Sequence, residues 1–190
     1  LTETYSQYPR YFAQLSLKSK QITGPGLAGL SWAYSYPTAV GSWDNCTSNC
    51  GGTKTVRVTD GQGRVTDHTF GTVWSVNDGQ LLTMAEGDGS TVLRTTTTTY
   101  ASWADGGGQP FPKEIGFSDA EGDHFATEQF TPERERAITL QGVTFKWHAN
   151  AYDAFARAID VTKSSTLGYS RRELYGYQDF TNLWVLGRLN

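Results

Sequence analysis

Along most of the chain, large and small residues alternate one by one. In "LSWAYSYP", Trp32, Tyr34 and Tyr36 fall on one side of an extended chain, and Ser31, Ala33 and Ser35 on the other. "TVLRTTTTTYASW" runs threonine from Thr95 to Thr99 before reaching Tyr100. Threonine is β-branched and stiff at χ1, so the run favours extended backbone over helix. A polar linker is the alternative there; Val92, Leu93, Tyr100 and Trp103, which gain from burial, argue against it.

Turn-forming clusters divide these stretches: "GPGLAG", "DGQG", "NDGQ", "EGDGS", "ADGGGQP" and "AEGD". Helical spacing is scarce. The alanines of "ANAYDAFARAID" allow a short helix, but Tyr152-Asp153 and Arg157 fit a turn, so a hairpin is expected instead. The pattern predicts an all-β fold over residues 1–190: an antiparallel, hairpin-linked sheet with few or no helices, in one domain. The stretch 104–112, with a glycine triplet and two prolines, is the best place for a flexible break.

Composition narrows the function classes. Aromatics make up 13% of the 190 residues, charged residues only 18%, and the net charge is −3. No cluster of Lys and Arg exceeds Arg171-Arg172, so the basic face that nucleic acid requires is missing. No apolar run approaches the roughly 18 residues of a membrane span. The chain opens at Leu1 with no initiator Met and reads as a piece of a longer polypeptide. Cys46 and Cys50 sit in "SWDNCTSNCGG", where a local disulfide is expected, with two free thiols as the alternative. A bridge would point to an oxidising compartment. His68, His124 and His148 are too scattered to complete a zinc site, and no metal or other cofactor is expected.

One turn recurs. "VTDGQGRV" places Asp60, two spacers, Gly63 and Arg64, and "GFSDAEGDHF" places Asp119, two spacers, Gly122 and Asp123. "NAYDAFARAI" places Asp153, two spacers, Ala156 and Arg157; "YGYQDFTNLWV" places Asp179, two spacers, Asn182 and Leu183. Phe117, Tyr152 and Tyr177 precede three of the aspartates by one or two places. An aspartate opening a turn accepts hydrogen bonds from backbone N–H groups just beyond it, and Gly or Asn at its end accepts positive φ. Each copy is then one hairpin unit, and stacked units bury a face that one hairpin cannot.

The motif resembles the YD-repeat, or Rhs-repeat, family, whose consensus runs Tyr-Asp, spacers, Gly-Arg or Gly-Asn, then a strand. The resemblance spans Leu15 to Leu189, with the consensus clearest in the four turns. Ala156 departs from the usual Gly, and Gln178 separates Tyr177 from Asp179. The resemblance implies a segment of a spiral β-shell of a large secreted or cell-surface bacterial protein, a scaffold and not an enzyme. Its partners would be the rest of the parent polypeptide, an enclosed toxin domain or a cell-surface ligand. Open sheet edges would allow self-association.

Other chemistries are less well supported. "GPGLAG" has the letters of a dinucleotide fingerprint, but an alternating strand follows where a helix is needed. "DAEGDHFATE" offers Asp119, Glu121, Asp123 and Glu128 as calcium ligands, but Phe130 stands where an EF-hand needs its glutamate. Glu86 with Asp88, and Glu114 with Glu128, are the carboxylate pairs a β-jelly-roll glycosidase would require. A carbohydrate-binding β-sandwich, stacking sugars on Trp32, Tyr34, Tyr36, Trp43, Trp74, Trp103, Trp147 or Trp184, is the principal alternative to the scaffold.

Overall fold

The computed structural model describes residues 16–37, 51–73, 76–103, 108–115, 128–183 and 185–189. Among them the fold is all-β and no α-helix occurs. The strands are β1 (Ser19–Gly24), β2 (Leu27–Ser35), β3 (Thr53–Thr59), β4 (Val65–Gly71), β5 (Leu81–Gly87), β6 (Val92–Tyr100) and β7 (Glu114–Ile115). They continue as β8 (Glu128–Gln129), β9 (Glu133–Leu140), β10 (Val143–Tyr152), β11 (Ala158–Ser165), β12 (Ser170–Leu174), β13 (Tyr177–Phe180) and β14 (Val185–Leu189). A 3-10 turn, Thr181–Leu183, joins the last two.

Ten strands form one antiparallel sheet in the order β1-β2-β3-β4-β5-β6-β9-β10-β11-β12; β7 pairs with β8 and β13 with β14. Every sheet neighbour is thus the next main strand in the chain, as hairpin linkage predicts. The segment from Ala151 to Asp160, where a short helix competed in the sequence, closes the β10–β11 hairpin. The chain divides into two compact units, Leu1–Thr95 and Thr96–Asn190, with the division inside β6.

In the first unit the alternation sorts side chains cleanly onto two faces. Cross-strand partners share a face, and successive residues switch faces. One face carries the pairs Ile22–Leu30, Tyr34–Val58, Val56–His68 and His68–Met84. The other carries Gln21–Ser31, Ala33–Thr59, Thr55–Thr69, Arg57–Asp67 and Thr69–Thr83. On that second face the Thr55 and Thr69 hydroxyls are 2.8 Å apart, and Arg57 grips Asp67 through Nε and Nη2, both at 2.7 Å.

The second unit repeats the division. Its polar face carries Glu135–His148, Thr139–Thr144, His148–Thr162 and Thr162–Arg172. Its apolar face carries Ile138–Phe145, Leu140–Val143 and Ala149–Val161. The deepest packing lies in this unit, where Ala101, Phe111, Ala149 and Tyr152 form a buried cluster. The Phe111 and Tyr152 rings meet edge to face, with centroids 5.6 Å apart. Phe130, Trp147, Ala156 and Ala158 pack around it. Val161 and Thr72 are also buried, whereas Phe145, Leu140 and Leu174 are exposed.

Candidate functional site

Two of the four predicted turns share one geometry. At Asp60 the backbone N–H of Gly63 donates to the Asp60 carbonyl at 3.0 Å, and the Asp60 N–H donates to the Arg64 carbonyl at 2.9 Å. At Asp153 the equivalent bonds run from Ala156 to Asp153 at 3.1 Å and from Asp153 to Arg157 at 3.0 Å. The side chains match as well. Oδ1 of Asp60 accepts from the N–H groups of Gln62 and Arg64, both at 2.9 Å, and Oδ2 accepts from Arg64 Nε at 2.7 Å. Oδ1 of Asp153 accepts from Phe155 at 2.9 Å and Arg157 at 3.0 Å, and Oδ2 accepts from Arg157 Nε at 2.7 Å.

The sequence dictates this shape locally. Only a carboxylate at the first position can receive two backbone donors and a guanidinium together. The fourth position must take positive φ, and does so at +81° for Gly63 and +59° for Ala156. Alanine pays for that conformation, about 1 kcal/mol or more relative to glycine. Its methyl group packs against the Tyr152 cluster, an offset that glycine would lack.

Asp179 differs from the expectation. It lies within β13, and Asn182 lies in the 3-10 turn that follows. The carboxylate reaches across to the Asp153 turn instead. Its two oxygens accept from Nη1 and Nη2 of Arg157, each at 2.7 Å, and Oδ1 also accepts from the Gly187 N–H at 2.8 Å. The extra residue Gln178 moves Asp179 one place away from its tyrosine, into a strand where it cannot open the same bend. Arg157 is correspondingly enclosed: its side chain is 22% exposed, against 74% for Arg64. Its guanidinium carbon sits 4.3 Å from the centre of the Tyr177 ring and 4.9 Å from that of Phe155. Asp153, Arg157, Tyr177 and Asp179, read as parts of two separate repeats, thus meet in one cluster, while Tyr152 packs against Phe111. Asp119 and Gly122, and the cysteines Cys46 and Cys50, lie outside the described residues.

The charges follow the contacts. Hydrogen bonds from Arg157, then from the Gly187 amide, hold the Asp179 carboxyl down at about 2. Burial pushes Asp153 upward, but the Arg157 side chain and the amides of Arg157 and Phe155 outweigh it and leave the carboxyl below its ordinary value. The same balance lowers Asp60. Arg157 is raised above the usual guanidinium value by its bonds to Asp179 and then Asp153. All three carboxylates are held as anions, the wrong state for a general acid.

A tyrosine latch, absent from the sequence reading, accompanies these turns. Tyr36 donates its hydroxyl hydrogen to the Leu17 carbonyl at 3.0 Å, Tyr152 to Glu133 at 2.8 Å and Tyr177 to Ala158 at 3.4 Å. The separation is 19 residues in each case. Tyr152 ends β10 and Glu133 opens β9, so the latch ties the two open ends of a hairpin. Tyr100 and Leu81 hold the same two positions in the β5–β6 hairpin. The signal legible in sequence was this spacing between tyrosines and strand starts, not the Tyr-Asp pair alone.

Trp43, Trp74, Trp184, Glu121 and Asp123 also lie outside the described residues, whereas Asp88 and Glu86 make local contacts. Asp88 accepts the amides of Ser90 at 2.9 Å and Thr91 at 2.7 Å, closing the β5–β6 turn, and Glu86 faces Arg94 at 3.5 Å. "GPGLAG" ends β1 at Gly24, turns at Pro25 and Gly26, and opens β2 at Leu27. Trp32 is partly covered by Lys20, whose Nζ lies 4.9 Å from the ring centre. Among the described residues no group of three or more His, Cys, Asp or Glu could hold a metal ion. No helix among them is long and apolar enough to cross a membrane.

The fold and the cluster together define a meander of hairpins, in which Asp60, Asp88 and Asp153 close three of the turns and Tyr36, Tyr152 and Tyr177 each bond a carbonyl 19 residues earlier. No family model, curated protein or solved structure matches the chain.

Proposed function

We propose that this chain is a non-enzymatic structural segment of a secreted or cell-surface YD-repeat protein, forming part of a β-shell for encapsulation, display or adhesion. The observation that carries this reading is the atom-for-atom match of the Asp60 and Asp153 turns, together with the 19-residue tyrosine latch. Both devices satisfy backbone groups at hairpin ends and leave no reactive group presented to a ligand. Stacking such hairpins extends a wall indefinitely, which suits a container. Its partners under this reading are the remainder of the parent polypeptide and an enclosed toxin domain or cell-surface ligand.

The carbohydrate-binding and glycosidase alternatives make opposite predictions. Retention on an immobilised polysaccharide, abolished by Trp103→Ala, would establish the first; Trp103 is the exposed indole among the described residues, at 44%. Turnover of an aryl glycoside, lost in Glu86→Gln, would establish the second. A scaffold shows neither. It predicts that a domain fused inside the complete parent shell resists added protease, and that Arg157→Met in the same fusion exposes it. Equal protease sensitivity with and without the shell would overturn the proposal.

A further inference from the structure

Among the described residues, the last strand of the ten, β12 (Ser170–Leu174), is bonded along one side only. Two bonds fix which of its backbone groups that side uses. The Ser165 N–H donates to the Tyr169 carbonyl at 2.9 Å, and the Tyr175 N–H donates to the Ile159 carbonyl at 2.8 Å. Bonded and non-bonded pairs alternate along an antiparallel ladder. With Lys163 opposite Arg171 and Val161 opposite Glu173, those two residues point their backbone groups at β11. Ser170, Arg172 and Leu174 therefore turn their N–H and C=O groups outward. Tyr169 is 74% exposed, Leu174 73% and the Arg171 side chain 78%; the Glu173 side chain, 14% exposed, already holds Lys163 at 2.8 Å and Arg171 at 3.2 Å, so its charge reaches an added strand alongside those two cations.

Charge decides what fits there. Only the outward residues can form bonded pairs with an added antiparallel strand, so a second β12 can shift its register only in steps of two. Centred on Arg172, Ser170 meets the partner's Leu174, and Arg171 meets the partner's Glu173 twice, in the closer non-bonded positions. Shifted either way, Arg171 faces the partner's Arg171, or Glu173 faces the partner's Glu173, and like charges directly opposite are destabilising. The two Arg172 side chains meet at the axis, but each is already neutralised by Asp160, which accepts from its Nε at 2.9 Å.

We propose that β12 pairs antiparallel with β12 of a second copy of this chain, about a two-fold axis at Arg172, with Arg171 and Glu173 selecting the register. The inference stands on this edge alone and is independent of the YD-repeat reading.

Sedimentation equilibrium on the whole chain, taken to its solubility limit, tests it. The expected result is a monomer–dimer equilibrium. Arg171→Glu and Glu173→Arg should each weaken the dimer by about tenfold or more. An equimolar mixture of the two variants should regain it, because each introduced charge then meets its opposite in the other copy. Leu174→Pro removes an outward N–H, leaves the ladder to β11 intact, and should abolish the dimer with an unchanged circular dichroism spectrum. A chain that stays monomeric overturns the proposal. So does a dimer that survives Leu174→Pro, charge variants that fail to reassociate on mixing, or a mass that grows beyond the dimer.

Discussion

The Asp60 and Asp153 turns have the same backbone, the same carboxylate bonds and the same arginine, yet they sit in different surroundings. Around Asp60 the arginine is 74% exposed and has one partner. Around Asp153 it is 22% exposed, bridges two carboxylates and lies against two rings. Local sequence builds the turn in both places. What the turn contributes depends on whether another hairpin arrives to use its arginine. At Asp153 the β13–β14 hairpin does so, delivering Asp179.

The sharpest way to break the comparison is to remove both arginines in turn. Arg157→Met strands Asp153 and Asp179, two half-enclosed anions, and should lower Tm by roughly 5 °C or more. Arg64→Met, at an exposed ion pair, should leave Tm within about 2 °C. Equal losses in thermal unfolding would mean that the surroundings do not matter.

Acid sharpens the same contrast. The Asp179 carboxyl is depressed to about 2 when folded, below its unfolded value of about 4. Its stabilising contribution is therefore complete above pH 4 and disappears as pH falls through 2. Asp179→Asn should be less stable than the parent at neutral pH, and its Tm should fall less steeply between pH 4 and pH 2.

Smaller effects should separate the latches. Tyr152 is buried, and Tyr152→Phe leaves the Glu133 carbonyl without that donor, costing about 1–2 kcal/mol in denaturant unfolding. Tyr36 is 46% exposed, and water can replace its hydroxyl in Tyr36→Phe, which should cost about half a kcal/mol or less. The glycine position gives the finest comparison. A Cβ at Gly63 would meet nothing within 4 Å, so Gly63→Ala carries only the conformational cost, about 1 kcal/mol. Ala156→Gly trades relief of φ against lost packing and a floppier unfolded chain, and should change stability by less than that.

Much of this was legible in the residues. Alternation in "LSWAYSYP" and the threonine run correctly indicated strands, because a pleated chain sends successive side chains to opposite faces whatever surrounds it. Asp60 with Arg64, and Asp153 with Arg157, could be read as turns because every partner lies within four residues. Asp179 misled for the complementary reason. Its spacing to Asn182 mimics the motif, but its bonds go to Arg157, 22 residues away. The latches were missed because Tyr152 and Glu133 meet only once β9 and β10 are in register.

What the sequence by itself determined was short-range: extended backbone, hairpin succession, and the two aspartate bends, each closed by atoms a few bonds apart along the chain. Which arginine became a clamp, which tyrosines became latches and which strand kept an open edge were decided by tertiary structure. Those outcomes depend on which distant hairpin lies alongside, and burial turns a weak exposed ion pair into a costly one to break.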